Sequence, residues 1–121
     1  MFCQQTEDFI DNKLSNWYIR RNRRRFWKSE QSDDKLCDYQ TLYEVLNTLI
    51  RLISPFMPFL AEGIYQNLKA TDENDAISVH LLNYPQVNHE LIDIQLNQEM
   101  TALLRIVSLG MAARQSAKIK V

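Results

Sequence analysis

Glycine and proline are scarce in this chain. Two glycines and three prolines in 121 residues supply little turn chemistry for a sandwich or barrel, so helices are expected. Cysteine is scarce too. Cys3 and Cys37 have no CxxC spacing, and His80 and His89 lie far from them in sequence, which argues against a disulfide framework and a zinc site. The thiols are expected free and buried, in a reducing compartment. No run of about 18 apolar residues is present, so no membrane-spanning helix is expected. The opening MFCQQTEDF lacks the apolar segment of a signal peptide, and a cytoplasmic location is the expectation.

Catalytic patterns are missing as well. The chain has no Gly-rich phosphate loop, no HExxH and no GxSxG. The acidic pairs Glu7–Asp8 and Asp33–Asp34 read as solvated charges or helix-dipole partners, since nothing nearby would shift their pKa values. His80 and His89 read as surface or capping residues. No chemistry is expected of this chain by itself, and no metal is expected.

What is present is helical patterning. The hydrophobic fraction is 45% and the charged fraction 24%, ordinary for a globular protein of one domain. Ile10, Leu14, Trp17 and Tyr18 predict a helix over 6–27, with Thr6 as its cap. SEQSDDK, Ser29 to Lys35, breaks that pattern. Tyr39, Leu42, Tyr43, Leu46, Leu49, Ile50 and Ile53 predict a second helix over about 38–54. Pro55 and Pro58 bound a short link. Leu60, Ile64 and Leu68 mark a third helix over 59–68. The acidic stretch 70–76 reads as a loop, and SVHLLNYP, 78–85, as a short extended segment. A fourth helix is expected from Asn88 or His89, with the stripe Ile92, Leu96, Met100, Leu103, Val107 and Met111 and a weak point at Gly110. AKIKV alternates like the start of a strand. Four one-sided stripes closing one core make an all-α, up-and-down helical bundle.

The formal charge is −1, yet LSNWYIRRNRRRFWKSE, Leu14 to Glu30, gathers five arginines and a lysine between Arg20 and Lys28, among Trp17, Tyr18, Phe26 and Trp27. On a helix, Trp17, Arg21, Arg24 and Lys28 share a face, with Arg20 and Trp27 beside it. Arg21, Arg25 and Lys28 also align by four and three. Guanidinium forks suit phosphate oxygens, and unstacked bases lie on aromatic rings or guanidinium planes. Basic plus aromatic therefore points to single-stranded or loop RNA. The competing reading is structural. Arginines near a helix C-terminus also offset the dipole and pair with acids, and Trp17, Tyr18 and Phe26 read as core residues. So many like charges together favour a phosphate partner for the cluster as a whole.

SNWYIRRNRRRFWKS, YQTLYEVLNTLIRLISPFMPFLAEGIYQNL, SVHLLNYP and the tail RIVSLGMAARQSAKIKV together resemble the anticodon-binding region of the isoleucyl-tRNA synthetase family, over about 9–121. Valyl enzymes resemble these stretches more loosely. The resemblance implies the helical bundle of class I synthetase anticodon-binding domains, here one domain over 1–121 with 112–121 opening a following C-terminal region. It implies a parent enzyme that joins isoleucine to its tRNA with ATP and magnesium, in a catalytic domain bearing HIGH-like and KMSKS-like signatures. This chain contains neither signature, so it reads as a fragment without a cofactor of its own. The implied partners are isoleucine-accepting tRNA and the parent's catalytic and C-terminal domains, with a monomer expected. The tRNA-facing residues carried over are Arg20, Arg21, Arg24, Arg25, Trp27 and Lys28, with Arg114, Lys118 and Lys120 in the tail. The alternative role for the arginines is docking on the catalytic body.

Overall fold

The computed structural model describes residues 1–27, 32–69 and 76–119. Every regular element among them is helical, as the all-α expectation holds. They fall into two compact units, Met1–Pro85 and Gln86–Val121.

The first unit opens with α1 (Phe2–Asp8), which runs directly into a π-helix, Phe9–Ile19. Thr6 is not a cap: it lies inside α1, and its hydroxyl donates to the Phe2 carbonyl. The wider helix changes which residues face inward. Ile10 and Ile19 are nine residues apart, about two and a half turns of an α-helix, and would lie on opposite sides. Bonding from i to i+5 stretches each turn, so nine residues make about two turns. Ile10, Leu14, Tyr18 and Ile19 accordingly all pack on the core. Trp17, seven residues from Ile10, turns away from that side and is only half-buried. The expectation of a core Trp17 rested on an α-helical period that this segment does not have.

The helix does not continue to Trp27. The chain bends at Asn22, whose carbonyl accepts from the N–H groups of Arg25 and Phe26, and a new short helix, α2, spans Arg23–Trp27. Helix α3 (Asp33–Ile53) starts about one turn earlier than its apolar pattern suggested. Ser32 caps it, its Oγ accepting from Lys35 N–H, and Asp33 and Asp34 occupy the first turn where the dipole favours acids. SDDK thus opens a helix where a break was read.

Helix α3 ends at Ile53. Ser54 to Met57 turn the chain, and Pro58 begins α4 (Pro58–Leu68), where its missing N–H costs nothing. The inward face of α4 is Ala61 and Tyr65, both buried, with Ile64 and Leu68 beside them; Leu60 is exposed. Residues 78–85 are not a simple extended segment. Val79–Leu81 form a 3₁₀ turn, capped by Ser78, that inserts Val79 into the core. The core therefore joins Leu14, Leu49, Ile50, Ile53, Ala61, Tyr65 and Val79.

The second unit is a 3₁₀ turn, His89–Leu91, followed by α5 (Ile94–Ser116). Asp93 caps α5 through a 2.9 Å bond from Leu96 N–H, so the helix starts later than Asn88. It runs through Gly110 and past residue 112 without a break. Its end is a Schellman stop in place of a strand: Ile119 N–H bonds the Arg114 carbonyl and Lys118 N–H bonds that of Gln115. Lys118 takes the left-handed conformation there, φ 54°. A single helix has nothing within its own unit to cover its stripe, and no α5 residue is buried. The described core is thus built by the first unit's elements.

Candidate nucleic-acid interface

Three contacts set the inward side of the arginine segment. Phe26 is buried and meets the rings of Tyr18 and Tyr39 edge-on, at 6.2 and 5.3 Å. Tyr39 Oη donates to the Phe26 carbonyl at 3.1 Å, and Tyr18 Oη to that of Asp38 at 3.3 Å. These bonds satisfy polar groups that docking α2 on α3 would otherwise strand.

Arg25 belongs to the same side. Its Nε donates to Asp34 Oδ2 at 2.8 Å, and its Nη2 pairs with Asp34 Oδ1, giving a two-pronged bridge. Its Nε also lies 2.8 Å from Oδ2 of Asp38, a buried carboxylate. The hydrogen bond with Asp34, followed by the charges of Asp34 and Asp38, raises the guanidinium pKa. Asp38 is thus a buried carboxylate whose ionic partner is Arg25. Arg25 therefore serves to fix α2 on the start of α3.

The outward side is built differently. Arg21 lays its guanidinium over the Trp17 ring, 4.4 Å from the centroid, and Arg23 lies 5.2 Å from that of Trp27. Both pairs are four residues apart, and the first exists because the π-helix turned Trp17 outward. Trp27 is 69% exposed, an unusual state for a large ring. Arg20, Arg21, Arg23 and Arg24 are all exposed. Among the described residues the ion pairs recorded for this segment are those of Arg25. Planar cations resting on indoles beside further exposed cations form a surface for phosphates and unstacked bases.

Of the residues expected to face RNA, the fold thus gathers Arg20, Arg21, Arg24 and Trp27 around the Asn22 bend and turns Arg25 toward acids. Lys28 and Lys120 lie outside the described residues. Arg114, in the last turn of α5, and Lys118, just beyond it, are exposed and belong to the second unit. Arg23 was absent from the expected set, although its spacing of four from Trp27 was a readable signal. Asp38 carried no such signal, being thirteen residues from Arg25. Cys3 and Cys37 are free, and both are exposed where buried thiols were expected. Cys3 lies in α1 and Cys37 in the first turns of α3.

Away from the arginines, Glu62 ties α4 to the following segment. Its carboxylate accepts from Gln66, from Ser78 Oγ at 2.8 Å and from Val79 N–H at 3.0 Å. Gln66 foremost, then Ser78, hold its pKa below the usual carboxylate value.

Fold and surface together define a class: an all-helical module whose chemistry is cationic and aromatic. Residues 2–121 match the family described as the anticodon-binding domain of tRNA ligase, and the chain belongs to that family. It is 50% identical over 117 residues to an isoleucine–tRNA ligase of Clostridium novyi, covering 96% of this chain and 11% of that protein. A ligase of the same name from Dehalococcoides mccartyi is 50% identical over 119 residues, 98% of this chain and 12% of its own length. One from Clostridium tetani is 49% identical over 115 residues, 94% and 11% respectively. The chain spans about a tenth of the length of these curated relatives. Among the described residues no helix is long and apolar enough to cross a membrane.

Proposed function

We propose that this chain binds the anticodon arm of isoleucine-accepting tRNA as part of an isoleucine–tRNA ligase. Activation of isoleucine with ATP and magnesium, and its transfer to tRNA, would take place in a catalytic domain outside this sequence, in the cytoplasm. The observation that carries the reading is the exposed Trp27 ring with Arg23 on its face, next to the Arg21–Trp17 pair. The arginines neutralise phosphates, releasing counterions, and Trp27 offers a platform for an unstacked base. Phosphate contacts hold the RNA in place without reading its sequence, so Arg20, Arg21, Arg23 and Arg24 act as grip. Arg25 acts through Asp34 and Asp38, by keeping α2 seated.

The test is a binding titration of the chain against isoleucine tRNA and valine tRNA at several salt concentrations. The expected result is tighter binding to isoleucine tRNA, with affinity falling steeply as salt rises. Equal binding to both would assign the grip to this chain and the discrimination to another part of the ligase. Binding to neither, with no salt dependence, would sink the reading and leave the arginines as a docking surface for another domain.

A further inference from the structure

The first unit carries a second surface whose chemistry is the opposite of the arginine segment's. A groove of about 370 Å³ opens between α1, the end of α3 and the start of α4. Phe2 and Phe56 line it, stacked on each other with ring centroids 5.0 Å apart. Met57 and Leu60 line it too, with Ile10 and Ile53, which also pack in the core. Phe56, Met57 and Leu60 are 59%, 50% and 48% exposed, and Phe59, at the start of α4, is 91% exposed. Covering apolar surface of this kind is favourable by about 25 cal/mol per Å². Contiguous patches of it mark interaction sites.

The lining says which kind of occupant fits. Its charged residue is Glu7, and a carboxylate repels phosphates, so RNA is a poor candidate. A small polar ligand is another, because such sites fix their ligand with several placed polar groups. Here the hydroxyl of Thr6 is already committed to the Phe2 carbonyl. Protein interfaces have the composition this groove shows: an apolar centre rich in aromatic rings and methionine, with charge kept to the rim. Glu7 carries no ion pair among the described residues, so a cation beside the partner's apolar side chain would complement it. The chain spans about a tenth of the length of the curated relatives, and most of a ligase of that size lies in other parts of the protein.

We propose that this groove is the docking surface for another domain of the ligase, which inserts an apolar side chain between Phe2, Phe56, Met57 and Leu60 and sets a lysine or arginine against Glu7. The proposal rests on the reading of this chain as part of an isoleucine–tRNA ligase. It goes beyond that reading by giving the two surfaces separate partners. The apolar groove attaches the module to the rest of the protein, and the exposed arginines are left open to RNA.

The test compares amide hydrogen exchange in this chain alone and in the full-length ligase that contains it, both without tRNA. The expected result is exchange several-fold slower in the ligase over 1–10 and 54–62, with 20–27 unchanged until tRNA is added. The double variant Met57→Asp/Leu60→Glu charges the groove without weakening α4. Met57 is the N-cap of α4 and Leu60 lies in its first turn, positions that favour Asp and Glu. The variant chain alone should melt no lower than the parent chain, while the variant ligase loses the protection over 1–10 and 54–62. If the variant chain does melt lower, the comparison of parent chain with parent ligase decides by itself. Equal exchange over 1–10 and 54–62 in chain and ligase would overturn the proposal. So would protection of 20–27 in their place, which would give the docking role to the arginines. Sedimentation of the chain alone should show a monomer; a dimer that the double variant dissociates would assign the groove to a second copy and overturn the proposal too. Failure of the chain to bind tRNA, with the groove protected in the ligase, would sink the tRNA reading and leave the docking surface standing.

Discussion

Arg23 and Arg25 are two residues apart in one short helix and do different work. Arg25 points at Asp34 and Asp38, and its charge is consumed inside the fold. Arg23 lies on the face of an exposed indole, with its charge still available to solvent. The same division separates Phe26 from Trp27, one buried and one 69% exposed. Helix α2 has an inward side that attaches it to α3 and an outward side that carries cations and a ring. A run of arginines is therefore not one functional unit. Its members divide according to what lies opposite them, and an acid on α3 claims one of the five.

The sharpest way to break this division is at Phe26. Phe26→Ala removes the ring that meets Tyr18 and Tyr39, and a buried Phe→Ala change costs about 3–5 kcal/mol. Chemical denaturation should show that loss, and tRNA binding should weaken because the Arg23–Trp27 pair loses its seat. Trp27→Ala is the complementary change. It should cost about 1–3 kcal/mol of tRNA affinity while the denaturation midpoint stays in place. A lower midpoint with unchanged affinity would show the ring to be structural.

Smaller effects distinguish the arginines. Arg21→Ala and Arg24→Ala should each reduce the salt slope of tRNA binding by about one, with similar weakening across tRNAs. Arg25→Ala should leave that slope unchanged and lower the melting temperature, because breaking a buried ion pair by removing one partner is destabilising. Equal slopes for all three variants would abolish the distinction between the two sides.

The smallest effect is expected at Glu62, which lies outside the cluster and marks where pH acts on the fold. Its folded-state pKa is lowered by the hydrogen bonds it accepts. Its contribution is therefore complete above the unfolded value of about 4.3, and is lost as pH falls through the lower native value. Melting temperature followed through that acid range should fall less steeply for Glu62→Gln than for the parent chain.

Much of this was legible in the sequence. The long stripe of α3 and the proline-bounded link before α4 depend on local period and on the geometry of proline, and both were read correctly. So was the presence of a basic and aromatic surface near Arg20–Trp27, because five arginines and their neighbouring rings lie close together in the chain. The start of α3 was also written locally, in Ser32, Asp33 and Asp34, but the polar run hid it: caps and first-turn acids are polar by nature. The Schellman stop after α5 was hidden for a similar reason, since Lys118 holds a position where glycine is usual.

The tertiary structure decided what each member of the basic segment does. Composition and spacing determined that the chain is helical, that it carries concentrated positive charge and that aromatic rings lie within reach. Whether Trp17 faces in or out depended on a helical turn widened where Ile10, Leu14, Tyr18 and Ile19 all pack against the core. Which arginine stays available depended on Asp38, thirteen residues away in sequence and 2.8 Å away in space. Periodicity is a property of neighbours along the chain, whereas ion pairing and burial belong to neighbours in space, and only folding makes those neighbours.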